Sequence, residues 1–239
     1  MRKIINFFTR RKERDNSVAS MTIHQFAESL GNAIDAKDHY TCSHSEEVAE
    51  VALLLGKQLG IPERECELLH IAGHLHDIGK IGLPDSILKK EGKLTGSEYE
   101  MVKQHPAMGA DIVKPVASVA GLESVTGIIL HHHERFDGCG YPYGLKGRKI
   151  PFGAKVIAVA DTLSAMASNR PYRQAIEFPK IVAEIKACSG TQFDPVVVDA
   201  FLNVSDRIED YFKQHDLQQA KTFESAGLTA SEQVVLVHQ

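Results

Sequence analysis

Residues 76–80 read His76-Asp77-Ile78-Gly79-Lys80, HDIGK, at the end of a helical stretch that begins near Glu63. A neutral imidazole beside a carboxylate suits a borderline divalent cation. Neighbouring helical residues point about a hundred degrees apart, so one ion can sit between the pair, or the carboxylate can bridge to a second. Lys80 lies about one turn past His76 and adds a point positive charge beside the pair. Further ligands would have to come from elsewhere, and nine of the twelve histidines fall between His39 and His133. Three of them, His131, His132 and His133, open a second stretch, HHHERFDGCGYP, which runs into a glycine-punctuated loop at Pro142.

Outward from these stretches the punctuation is helical. Residues 22–36 carry Ile23, Phe26, Ala27, Leu30 and Ile34 at helical spacing, and residues 43–59 carry Val48, Val51, Ala52 and Leu55 on one face. Gly60 closes that helix and Pro62 opens the next. Thr95-Gly96-Ser97-Glu98 has the form of a capping box. Helices are also expected over 151–168 and 179–188. Asp194-Pro195 reads as a cap followed by proline at the first helical position, with an apolar stripe of Val197, Val198, Phe201, Val204 and Ile208. The alternation of strands is nearly absent, and Ile81 to Pro84 is at most an extended link. Gly138, Gly140, Pro142, Gly144 and Gly147 mark one long loop of about a dozen residues, a length usually tied to function or disorder. The expected fold class is all-α, a helical domain over 21–214. A basic tail over 1–20 and a further tail over 215–239 flank it.

The chain has 239 residues, 43% hydrophobic and 24% charged, with a formal net charge of -4. A chain of this length buries roughly 70% of its unfolded surface and needs no staple to fold. The charge provides no global basic field, which argues against a nucleic-acid polymer as partner. Cys42, Cys66, Cys139 and Cys188 show no CxxC spacing and read as reduced thiols, which favours a cytoplasmic setting. No apolar run reaches the ~20 residues of a membrane span. The first residues, MRKIINFFTRRKER, are too short in apolar core for a signal peptide. They read as a loose basic tail, with a membrane-surface anchor as the lesser alternative.

HDIGK resembles the signature of HD-type metal-dependent phosphohydrolases. Joined to HHERFDGCGYP it is similar to the HD-GYP branch, the glycine loop being that branch's GYP loop. The resemblance continues through AIDAKDHYTCSHS, KQHPAMGA, GLKGRKIP, AVADTLSAM, NRPYR and SGTQFDP, from about Phe26 to Phe201. It implies an HD-superfamily helical domain that hydrolyses cyclic di-GMP. Position by position, it makes His44, His76, Asp77 and Asp161 the ligands of one metal. His105, His132 and His133 would hold a second, with Asp77 bridging. Asp161 fits because it is a lone acid on an otherwise apolar helix, where an unpaired carboxylate is costly. Members that bind three metals carry a glutamate four residues before the histidine matching His44. Here that residue is Tyr40, so two divalent ions are expected, iron or manganese being favoured, with zinc, nickel and cobalt left open. Asp38 could partly compensate for the missing acid, although turn chemistry beside His39 is the simpler role. His70, His74 and His131 lie outside the pattern and are expected to pack or brace rather than coordinate.

On the substrate side, Lys80 is expected to act in catalysis, and Arg170 and Arg173 match family positions that contact the ligand's phosphate. Gly140 lets the backbone approach closely, Tyr141 can stack on a base or donate its hydroxyl, and Asp38 is a further contact. Glu134 and Asp137 are expected to brace the loop. The implied mechanism is in-line attack by a metal-bridging water, whose pKa falls toward about 7, giving linear pGpG, with onward cleavage to GMP left open. Two rivals stay open: a hydrolase of the hybrid dinucleotide 3',3'-cGAMP, and a receptor module that binds without turnover. A homodimer or a signalling protein partner is left open too.

Overall fold

The computed structural model describes residues 22–38, 43–168 and 176–225. Its elements are helices: α1 (22–37), α2 (His44–Gln58), α3 (Glu63–Leu75), a 3-10 turn (Ile78–Gly82), α4 (Asp85–Leu88) and α5 (Gly96–Val102). They continue with α6 (His105–Ala120), α7 (Glu123–His131), a second 3-10 turn (Gly147–Lys149), α8 (Phe152–Ala167), α9 (Phe178–Ala187) and α10 (Pro195–Ser225). Among the described residues the only β pairing is an isolated bridge between Ser189 and Phe193. The protein is all-α.

The apolar periodicity explains the packing. α2 is buried on Val48, Val51, Ala52 and Leu55, and it lies against α3, α8 and α10. α8 is buried on Val156, Ile157, Val159, Ala160 and Leu163. α10 contributes Val197, Val198, Phe201, Val204 and Ile208 to the same core. Burying each of the valine, leucine, isoleucine and phenylalanine side chains among these stabilises the fold by roughly 1.5–3 kcal/mol. α6 pairs with α7 and with the 3-10 turn after α3.

Local signals set the ends. Thr95 and Glu98 form a reciprocal capping box at α5. Gly60, at φ 69°, ends α2 in the left-handed region that favours glycine. Asp194 Oδ1 accepts from Val196 N at 2.9 Å to cap α10, and its Oδ2 takes the buried Lys155 ammonium at 2.6 Å.

Three features differ from the expectations. Ile81 and Gly82 are part of a 3-10 turn, not an extended link; only Leu83 and Pro84 are extended. Phe26 and Leu30 of α1 are exposed, at 68% and 42%, because they line an open apolar groove with Ile112 and Val116 instead of entering the core. α10 runs on to Ser225, past the boundary placed at 214. His215 there lies 3.8 Å from both Glu46 and Glu47 of α2, so that turn still packs on the domain.

Candidate metal centre

The site forms where α3 stops. His76 and Asp77 follow Leu75 as a turn, and Asp77 precedes the 3-10 turn Ile78–Gly82. Gly79 makes this possible: a Cβ there would fall 1.9 Å from His105 O and 2.5 Å from Gly109 N. α6 can therefore lie directly on the HDIGK turn and deliver His105 from its first residue. His132 and His133 follow the end of α7, His44 begins α2, and Asp161 stands in the middle of α8.

These seven side chains converge as two adjoining groups, Asp77 with His105, His132 and His133, and His44 with His76 and Asp161. Asp77 faces both. Its Oδ1 lies 3.1 Å from His105 Nε2 and 3.9 Å from His132 Nε2. Its Oδ2 lies 3.4 Å from His76 Nε2 and 4.0 Å from His44 Nε2. Asp161 Oδ1 lies 3.3 Å from His44 Nε2 and 3.9 Å from His76 Nε2.

The rings are held from behind. His76, His105 and His132 donate Nδ1–H to the carbonyls of Gly73, Val102 and Ile129, each at 2.7 Å. His44 Nδ1 bonds Ser164 Oγ at 2.8 Å, and Ser164 donates on to Glu47. Each Nδ1 is thus a donor, and each Nε2 turns its lone pair inward. The Nε2 atoms of His105 and His132 face each other at 3.4 Å, and the buried His76 Nε2 has no hydrogen-bond partner. Converging lone pairs and carboxylates fit a divalent cation, and the backbone bonds are the usual way such ligands are oriented.

Charge follows the same logic. Burial, then the neighbouring His105, hold His133 down at about 4. Burial, then His133 and His76, keep His132 well below the ordinary histidine range. Both are neutral donors at neutral pH. Burial disfavours charge on His76, but Asp77 and then Asp161 outweigh it and lift the ring to about 9, so a proton and a metal ion compete for that nitrogen. Burial would raise Asp77 and Asp161. Lys80 and His76 hold Asp77, and His44 and His76 hold Asp161, well below the carboxylate range instead.

The glycine loop is braced by acids. Buried Glu134 accepts from Tyr143 N at 2.8 Å and Leu145 N at 2.9 Å. Asp137 pairs with Arg135 and accepts from Cys139 N. Phe136 N and Asp137 N bond the carbonyls of Gln192 and Thr191, tying the loop to the turn before α10. A Cβ on Gly140 would lie 2.3 Å from Arg135 N and 2.5 Å from His133 O, so only glycine lets the loop close on the histidine pair. Tyr141 then donates its N–H to His133 O and sets its ring 4.8 Å from the His133 ring. Burial, then Tyr99, raises its phenol, which stays a donor at neutral pH.

Lys80 and Asp38 meet each other. Lys80 Nζ lies 2.8 Å from Asp38 Oδ2 and 2.7 Å from Asp77 Oδ2. Asp38 is thus a partner of the HDIGK lysine, a contact across 42 residues that local turn chemistry does not suggest. Tyr40, Arg170 and Arg173 lie outside the described residues. His131, the last residue of α7, sits 3.8 Å from Glu134, with its ring 5.7 Å from that of Tyr143, so it packs against the loop. His70 and His74 gather with His24 of α1, a third group separate from the seven. Sequence reasoning missed His24, and it missed Glu47 and Ser164 behind His44. Only the half-polar face of α2, where Glu47 falls among buried residues, hinted at the latter.

The HD domain family profile matches residues 28–197, most of the chain. The chain belongs to the HD domain family, in its HD-GYP branch. It is 40% identical over 193 residues to the cyclic di-GMP phosphodiesterase response regulator RpfG of Xanthomonas campestris, covering 80% of this chain and 50% of that protein. It is 38% identical over 192 residues to a cyclic di-GMP phosphodiesterase of Thermotoga maritima, covering 80% and 52%. The chain thus spans about half the length of these relatives. A solved cyclic GMP-AMP-specific phosphodiesterase of Vibrio cholerae shares the fold, with a TM-score of 0.63 at 19% identity, over 83% of this chain and 52% of that one. Among the described residues of this HD-GYP chain, no helix is long and apolar enough to cross a membrane.

Proposed function

We propose that this HD-GYP chain is a metal-dependent phosphodiesterase that opens cyclic di-GMP to linear pGpG and carries cleavage on to GMP. The observation that carries this reading is Asp77, which turns one carboxylate oxygen to each of two histidine groups whose Nε2 lone pairs converge on it. His44, His76, Asp77 and Asp161 would hold one divalent ion, and Asp77, His105, His132 and His133 a second. Iron or manganese suits these nitrogen and oxygen donors. Bound there, such ions supply Lewis acidity toward phosphoryl oxygens and lower the pKa of a coordinated water to about 7.

The chain's own groups do the positioning. Asp77 sets the spacing of the two groups. Lys80, whose charge burial opposes but Asp77 and Asp38 raise, stays protonated at the edge of the cluster. Its ammonium is placed to take up charge on a phosphoryl oxygen as the P–O bond breaks. Tyr141, held over His133, offers a flat face and a protonated hydroxyl to the dinucleotide. Arg170 and Arg173 are proposed to clamp its phosphates. A cyclic dinucleotide substrate and reduced thiols fit the cytoplasm.

The hybrid 3',3'-cGAMP is the second substrate to test, because a 3',3'-cGAMP-specific phosphodiesterase of Vibrio cholerae is 35% identical to this chain over 185 residues. Anaerobically purified protein with known metal content is incubated with each dinucleotide, and products are separated by chromatography. Linear pGpG and GMP from cyclic di-GMP are expected. Metal-replete protein that binds the dinucleotide without cleaving it would make the chain a receptor instead.

A further inference from the structure

We propose that His24, His70 and His74 form a second metal site, distinct from the Asp77-centred cluster and suited to a borderline divalent ion such as zinc. None of the three is among the seven ligands of the proposed catalytic centre. His70 and His74 stand one turn apart on α3, the i, i+4 spacing that puts two imidazoles on one helix face. His24 reaches them from α1. Each offers a ring nitrogen, and these atoms lie within 4.8 Å of one another. The rings are mutually packed, His24 on His70 at 4.7 Å and His70 against His74 at 4.8 Å.

Two observations point to a ligand instead of simple packing. His74 is 98% buried, 2% of it being exposed, and its Nδ1 has no hydrogen-bond partner. A buried imidazole nitrogen left so keeps its full desolvation cost, which coordination removes. In addition, Glu50 of α2 sets its carboxylate 3.1 Å from His70 Nε2, the acid-behind-histidine arrangement that orients metal-bound imidazoles. Tetrahedral zinc needs its nitrogens about 3.3 Å apart, given Zn–N near 2.0–2.1 Å. The half-buried His24 can supply that closure by rotating.

The ion would fasten α1 to α3. α1 already approaches closely there: a Cβ on Gly31 would lie 2.7 Å from His74 O. The far end of α1 carries Asp35, which accepts from Ser45 N and Oγ at 2.9 Å, and Asp38, which takes Lys80. An ion at the His24 end therefore holds the helix whose other end braces His44's neighbour and the HDIGK lysine.

Zinc-saturated full chain, passed through gel filtration, is compared with His24→Ala by metal analysis. His24 is partly exposed and outside the core, so the variant should fold. About one zinc fewer per chain is expected in the variant, with cyclic di-GMP cleavage retained. Equal zinc in folded variant and wild type would overturn the site. Crystals of the unsubstituted protein soaked in zinc give an independent reading. An anomalous peak among His24, His70 and His74 is expected, and peaks confined to the Asp77 cluster would sink the proposal.

Discussion

His105 and His132 point their Nε2 atoms at each other across 3.4 Å, and each has committed its Nδ1–H to a backbone carbonyl one turn back. Neither ring can turn over to relieve the contact without breaking a 2.7 Å buried bond. Two facing lone pairs in a buried site repel unless a cation is shared between them, so the backbone holds both nitrogens in an arrangement that suits a bound metal ion.

Removing that cation should therefore cost both activity and stability. Treatment with a strong chelator is expected to abolish cyclic di-GMP cleavage and to lower Tm, and restoring manganese or ferrous iron should recover both. Stabilisation grows with the ratio of free ion to Kd, about 2.7 kcal/mol at a hundredfold excess. Melting curves with and without metal check this. A chelated protein with unchanged Tm and unchanged turnover would remove the metal from the account.

Lys80→Ala should separate metal binding from catalysis. The ammonium donates no lone pair, so metal content should stay near wild type. The variant also leaves Asp38 and Asp77 without their shared cation, and a loss on the order of a hundredfold in rate is expected. Metal analysis beside turnover on the same preparation checks it. Loss of metal along with rate would mean that Lys80 acts by positioning Asp77.

Gly79→Ala tests why HDIGK carries a glycine. The added methyl meets His105 O at 1.9 Å, a backbone atom that no rotamer can move aside. α6 must then retreat from the turn and take His105 with it. The expected result is a fall of at least about one ion per chain and a loss of stability of several kcal/mol, in the range of overpacked or strained sites. Metal analysis and denaturant unfolding read the two effects. Retention of full metal content would show that α6 adapts.

The helices and the ordering of HDIGK, HHHE and the glycine loop were legible because capping residues, apolar spacing and a dense run of histidines all lie close together in the chain. What was hidden depended on tertiary contact. His24 meets His70 and His74 only because α1 lies on α3, across 46 and 50 positions. Lys80 finds Asp38 across 42. Phe26 and Leu30 have helical spacing, yet a spacing rule cannot tell a core face from a groove face. The apolar stripe of α10 ends at Phe212, yet the helix continues and meets α2 again through the polar His215, a contact that apolar spacing does not signal.

The acid-base behaviour of the metal-free protein should be two-sided. His133 and His74 are held at about 4, below the ordinary 6.5, so between these values the unfolded chain binds protons that the folded chain refuses. Stability then falls as pH drops from 6.5 toward 4. Asp77 and Asp161, depressed by their cationic neighbours, add to the loss as pH falls further through the carboxylate range. His76 acts in the opposite sense. Raised to about 9, it contributes stability that is complete below 6.5 and lost as pH rises toward 9. The stripped protein should thus be most stable near pH 6.5. Each kcal/mol lost on either side lowers Tm by about 2–4 °C for a chain of this size. Metal competes with the proton on His76 and needs the other imidazoles neutral, so the metal-loaded protein should hold its stability into the alkaline arm and lose it on the acid side. Thermal melts from pH 4 to 9, with and without metal, check both arms. A flat profile in the stripped protein would mean that these buried histidines titrate as they do in the unfolded chain.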